Sequence, residues 1–190
     1  KIGDFRKVVY CSVVVSDVLD RLLWRVRPYE RRQGMADEFI ERAAGAMLEA
    51  FERYGAEKDF RRILDRLSEI VREGKEVIDP GIEQKPLVGI VGEIFLRTHA
   101  QANQDVIRLL EKHGAEVVNA SIAEWFNYTA YERMKEAKTG LRLGLKQLRA
   151  DRIGDCLGKM LSHGAKLLYQ HYRQDQIYKR AKPLLIPARD

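Results

Sequence analysis

The chain has 190 residues, a formal net charge of +6 and an apolar content of 45%. This composition excludes a disordered or fibrous chain and supplies apolar mass for one ordinary domain or two small ones. No apolar run approaches the ~20 residues of a membrane span and no signal peptide opens the sequence, so a cytoplasmic protein is expected.

The first third reads as helix. Val18, Leu19, Leu22, Leu23 and Val26 form one apolar stripe, which Pro28 ends. The preceding run Val8–Val15 is β-branched enough for a strand. Its extension of the helix is the favoured reading. A second helix follows Gly34, with Phe39, Ile40, Ala43, Ala44, Met47, Leu48 and Phe51 in period and Gly55 placed to cap its end. A third uses Phe60, Ile63, Leu64, Leu67, Ile70 and Val71, with Gly74 after it. These stripes are packing faces. The basic stretch from Arg25 to Arg32 fits cations at a helix C-terminus. An anion or a partner domain is the other reading of it.

The segment 79–86 carries two prolines and a glycine and reads as a linker. Beyond it Leu87–Phe95 is a near-continuous apolar run, as a strand covered on both faces requires. Asn103 can cap a helix carrying Val106, Ile107, Leu109 and Leu110, which His113-Gly114 ends. Ala115–Ala120 is a second short strand. The result is a strand–helix–strand unit of the size of a βαβ crossover. From Ile122 onward the pattern is helical again, with Trp125, Phe126, Tyr128 and Tyr131 as an aromatic cluster assigned to the core. The expected fold is therefore α/β and helix-dominated, with a small parallel sheet joined right-handedly. Its parts are a helical 1–78, a linker 79–86, a βαβ part 87–138 and a helical tail 139–190.

In open α/β sheets, ligands bind beyond the carboxyl ends of the strands. Those ends carry Glu93, Arg97, His99 and Asn103 after the first strand, and Asn119 and Ser121 after the second. Convergence of these six on one concave site would suit a phosphate, a carboxylate or an acyl-CoA fragment, with Arg97 held in solvent until the ligand arrives. The other reading pairs Glu93 with Arg97 and leaves Asn103 as a helix cap. Other signatures are missing. Gly89 and Gly92 do not form GxGxxG, and there is no P-loop, GxSxG or HExxH. Cys11 and Cys156 are far apart and form no CxxC, so no metal site or cofactor is assigned to this chain. Acidic and basic residues interleave without a nucleic-acid-binding motif, so nucleic-acid binding through the basic surplus is the weaker alternative.

Arg27-Pro28-Tyr29-Glu30, then Lys85-Pro86-Leu87-Val88-Gly89-Ile90-Val91-Gly92-Glu93-Ile94, then Glu111-Lys112-His113-Gly114-Ala115-Glu116-Val117-Val118 resemble the CoA-substrate-specific enzyme activases and the related 2-hydroxyacyl-CoA dehydratases. The resemblance is specific from about Lys85 to Trp125. It implies a Rossmann-like subdomain beside a helical part, within a longer polypeptide that holds a [4Fe-4S] cluster and an ATPase site elsewhere. The opening Lys1-Ile2-Gly3, without Met, suggests such an excerpt. Where a dehydratase has a cysteine after the second strand, this sequence reads Asn119-Ala120-Ser121, so the cluster role does not carry over. The expectation is a substrate- or partner-contacting subdomain that works with other domains of the same polypeptide. The alternative is a helical interaction or oligomerisation domain without a ligand.

Overall fold

The structure, a computed structural model, describes residues 2–146 and 150–185. Helix α1 spans Ile2–Val26 and includes Val8–Val15. Tyr10, Cys11, Val14, Val15, Val18, Leu22 and Val26 are all buried along it. Spacings of three and four put them on one helix face. The helical period therefore overrides the strand propensity of the β-branched run.

A 3-10 turn over Arg27–Tyr29 follows, with Pro28 in its first turn, where a missing N–H does no harm. Gly34 sits at φ 86°, a left-handed conformation that suits glycine. Helix α2, Met35–Tyr54, is capped from outside itself. The Glu30 carboxylate accepts from the N–H groups of Gly34 at 2.9 Å and Ala36 at 2.8 Å. Gly55 takes the C-cap position in right-handed geometry, and Lys58 supplies the left-handed residue at φ 61°.

Helix α3, Phe60–Val77, opens on Asp59, whose side chain accepts from the Arg62 N–H. It runs three residues past the expected stop at Gly74. That glycine is a packing requirement instead. A Cβ there would lie 2.6 Å from a Leu184 methyl and 3.0 Å from the Phe39 ring. Phe39, Ala43 and Met47 of α2 meet Ile63, Leu67, Ile70 and Val71 of α3 and the buried face of α1 in one apolar core. Full burial of a side chain of the Leu, Ile or Phe type contributes about 1.5–3 kcal/mol.

Strand β1, Leu87–Ile90, pairs in parallel with β2, Glu116–Asn119, in the register Leu87↔Glu116 to Ile90↔Asn119. The expected first strand is thus halved. Gly92 turns the chain at φ 141°, and the Glu93 carboxylate accepts from the Leu96 N–H to start the short helix α4, Ile94–Thr98. Helix α5, Val106–Lys112, completes the connection. The N-cap position falls on Asp105 at φ 52°, not on Asn103, which sits two residues earlier and accepts from the Val106 N–H at 3.3 Å. The architecture is α/β with helix dominant and a small parallel sheet.

Helix α6 spans Ile122–Lys146 and α7 spans Ala150–Leu185. The chain forms two compact units, one of residues 1–122 with 176–190 and the other of 123–175. The segment 79–86 therefore lies inside a unit and joins α3 to the sheet. The unit boundary falls instead after Ile122, within the stretch 87–138. No helix among the described residues is long and apolar enough to cross a membrane.

Candidate functional site

The basic stretch after α1 ties the helical layer to the strand–helix–strand part. The Arg27 guanidinium donates to both oxygens of Glu111, at 2.6 and 3.0 Å, and to Asp37 at 3.1 Å. Burial alone would lower the Arg27 pKa, but the two carboxylates outweigh it and raise it. The same burial pushes the Glu111 carboxyl up against the pull of Arg27, so Glu111 is the member of the pair that titrates. Arg25 donates to Glu116 at 2.6 Å, and the Tyr29 hydroxyl donates to the same oxygen at 2.7 Å. That hydroxyl accepts in turn from the Lys85 N–H at 3.0 Å. Its pKa is raised chiefly by burial, so it stays a donor. Arg27-Pro28-Tyr29-Glu30 is therefore a clamp: Arg27 and Tyr29 hold α5 and β2, and Glu30 caps α2.

A cleft of about 220 Å³ opens at the carboxyl end of the strands. It is lined on one side by Asp17, Asp20 and Trp24 of α1 and by Arg27 of the turn that follows. The other wall holds Arg97, Thr98, Asp105 and Arg108, and Asn119 and Ala120 form the floor. Asp17 is buried and accepts from the Ile122 N–H at 2.9 Å, which fixes the start of α6. Burial, and then the neighbouring Asp17 carboxylate, push the Asp20 carboxyl up to about 6. The Asp20 side chain is nevertheless exposed at the cleft. Arg108 donates to Asp37 at 2.9 Å and lies 3.7 Å from Asp105.

Of the six residues expected to converge, Arg97 and Asn119 line this cleft. Arg97 departs from expectation in one respect: it is 8% exposed, not solvated. Its Nη1 donates to the Ala120 carbonyl and to Asn119 Oδ1, and Asn119 Nδ2 donates back to the Arg97 carbonyl at 2.9 Å. The reason is local. Helix α4 begins so soon after β1 that Arg97 lands over the end of β2. Glu93, His99 and Asn103 do not line the cleft. Glu93 caps α4. His99 is exposed, stacks on Phe95 at 4.8 Å and accepts from the Ala102 N–H. Asn103 donates to the Leu96 carbonyl at 2.8 Å and accepts from the Val106 N–H, bridging the loop between α4 and α5. These three shape the connecting loop. Ser121 is buried outside the cleft lining.

Sequence reasoning missed Asp17, Asp20 and Trp24. The signal was present, since positions 17, 20 and 24 recur at helical spacing on α1, with Arg27 just after it. Among the described residues no group of three or more His, Cys, Asp or Glu side chains could hold a metal ion. Cys11 and Cys156 are buried and unpaired with each other.

The expected aromatic core of α6 is a surface. Trp125, Tyr128 and Tyr131 are 49%, 60% and 52% exposed. In the second unit α6 and α7 run antiparallel, joined by Asn127 to Gln174, and a pair of helices covers only one stripe of each.

The fold and cleft thus define an α/β domain with a parallel crossover and a mixed-charge strand-end cleft. No protein-family model, curated protein or solved structure matches the chain.

Proposed function

We propose that this chain is a partner-contacting, Rossmann-like subdomain of a protein of the CoA-enzyme activase and 2-hydroxyacyl-CoA dehydratase type, working in the cytoplasm with other parts of that protein. The ATPase and cluster chemistry belongs, in this reading, to those other parts. The observation that carries it is the open edge of β1. Parallel sheets are stable when covered on both faces and extended across several strands. Here β1 has one neighbour among the described residues, and Leu87 and the following Val91 are 64% and 85% exposed. The Glu116 N–H donates to the Pro86 carbonyl. The alternation of a parallel ladder then turns Val88 and Ile90 towards β2 and leaves the N–H and C=O groups of Leu87 and Gly89 facing outward. A side chain at Gly89 would meet nothing within 4 Å, so the backbone there is open to close approach. Exposed Phe95 and Leu96 extend the apolar surface.

Hydrogen exchange tests the reading. In the isolated chain the amides of Leu87 and Gly89 should exchange like those of an open strand edge. A dehydratase-type subunit mixed with the chain should slow them by at least about tenfold. Core-like protection in the isolated chain, or no slowing with the subunit present, refutes the proposal.

The second reading, a helical interaction domain, draws on a different surface. Tyr128, Leu168 and Tyr172 of the second unit are 60%, 74% and 57% exposed. Self-association abolished by Leu168→Glu and unaffected by changes at β1 would favour it.

A further inference from the structure

The strand-end cleft holds two charged groups that the fold leaves unused. Arg97 is 8% exposed, and its hydrogen bonds all run from Nη1. Nε is buried with no partner. Nη2 makes no hydrogen bond either. The Nε–Nη2 edge of a guanidinium is a fork that takes a carboxylate through two parallel bonds. An arginine that is more than nine-tenths buried and lines a cleft, with no bond from Nε or Nη2, keeps unsatisfied donors until an acceptor arrives.

Asp20 is the other unused group. It lines the cleft from α1 and makes no hydrogen bond and no ion pair with the described residues. The remaining charges of the cleft are engaged elsewhere: Arg27 with Glu111 and Asp37, Arg108 with Asp37 and Asp105, and Asp17 with the Ile122 N–H. Trp24, one turn beyond Asp20 on α1, brings an indole to the same wall, and indoles favour a neighbouring cation.

A ligand of one sign does not suit this pair. A simple anion on Arg97 would face the Asp20 carboxylate, and a simple cation on Asp20 would face the guanidinium. The volume of about 220 Å³ suits a molecule of amino-acid size. We propose that the cleft binds a small amino carboxylate, with its carboxylate on Arg97 and its ammonium on Asp20. This site is separate from the open edge of β1 and does not depend on the partner reading.

The test is calorimetric titration of the full chain with the free L-amino acids, and with acetate and ethylamine as the two halves of the ligand. At least one amino acid should bind saturably, and acetate and ethylamine should each bind at least about tenfold more weakly. Asp20→Asn and Arg97→Lys should each weaken that amino acid about tenfold or more, since each removes one charge contact or the fork geometry. Circular dichroism and melting temperature establish that the variants are folded. Should Arg97→Lys fail to fold, the comparison of amino acid with acetate and ethylamine on the unaltered chain still decides. Absence of saturable binding by every amino acid overturns the proposal. So does acetate or ethylamine binding as tightly as the amino acid, and so does unchanged binding in both folded variants.

Discussion

Replacing Glu116 tests whether the clamp holds the sheet to the helices. Its side chain is 10% exposed and accepts from Arg25 at 2.6 Å and from Tyr29 at 2.7 Å. The Arg25 side chain is itself only 14% exposed. Glu116→Ala leaves that guanidinium without its carboxylate, and breaking a buried pair from one side costs about 3–5 kcal/mol. The Tyr29 ring, 4.8 Å below the guanidinium, stays in place and offsets part of the loss. The expected destabilisation is about 2–4 kcal/mol. The pair replaced together, Arg25→Met with Glu116→Leu, should cost about 1–2 kcal/mol, because no charge is then stranded and only the buried Tyr29 hydroxyl loses its acceptor. Urea unfolding followed by Trp24 fluorescence in a Trp125→Phe background reads the first unit, since the chain has only two tryptophans. A Glu116→Ala loss below about 0.5 kcal/mol, or a double variant as damaged as the single one, refutes the clamp, because a structural pair must show coupling.

Asp20→Asn should change the pH dependence of stability. The wild-type carboxyl has a folded pKa near 6 against an ordinary 3.8, so the folded state holds its proton more tightly and stability falls as pH rises from about 4 to about 6. The asparagine variant should be more stable above pH 6 by about 1 kcal/mol after solvent screening, and equal to wild type below pH 4; melting curves at both ends check it, and a gain confined to low pH contradicts it. Arg97→Ala should destabilise by about 2–3 kcal/mol in urea, since Asn119 Oδ1 and the Ala120 carbonyl lose the guanidinium donor; stability unchanged from wild type would return Arg97 to a solvated role. Gly74→Ala should cost about 1–2 kcal/mol, as crowding against Phe39 and Leu184 exceeds the gain in helix propensity; a stabilised variant would show that Leu184 moves aside freely. Glu30→Ala should cost about 1–2 kcal/mol through the lost cap of α2, read by thermal melting, and an unchanged melting temperature counts against that capping role.

The helices were legible because each carries an apolar stripe at one period, and α1 shows how far that signal reaches. Val8–Val15 has strand composition, yet its burial repeats every three or four residues. The parallel crossover was legible from its apolar runs, although the helix between them starts at Asp105 and not at an Asn103 cap. The early end of β1 was not. An apolar run does not show which residues lie in a strand and which in a helix, and Gly92-Glu93 carried the stop. The candidate site was half legible for a related reason. Sequence order groups the residues that follow each strand, so it pointed to Arg97 and Asn119. The wall opposite them comes from α1, far away along the chain. The aromatic residues of α6 failed in the opposite direction, since apolar character alone does not say that a covering layer is present.

Helix α1 joins these observations physically. Its Val14, Val18, Leu22 and Val26 face fixes it in the helical core, and its Asp17, Asp20 and Trp24 line the cleft, with Arg27 just beyond its end. A rigid helix cannot adjust one face without the other. The Arg27 tie to Glu111 and the Arg25 and Tyr29 ties to Glu116 then set the distance between that wall and the strand ends. Charge at Asp20 and at Arg97 is therefore held apart by packing and ion pairs outside the cleft. That is the condition under which two opposite charges remain available to a ligand without collapsing onto each other. Loosening the clamp should accordingly weaken the cleft before it unfolds the core.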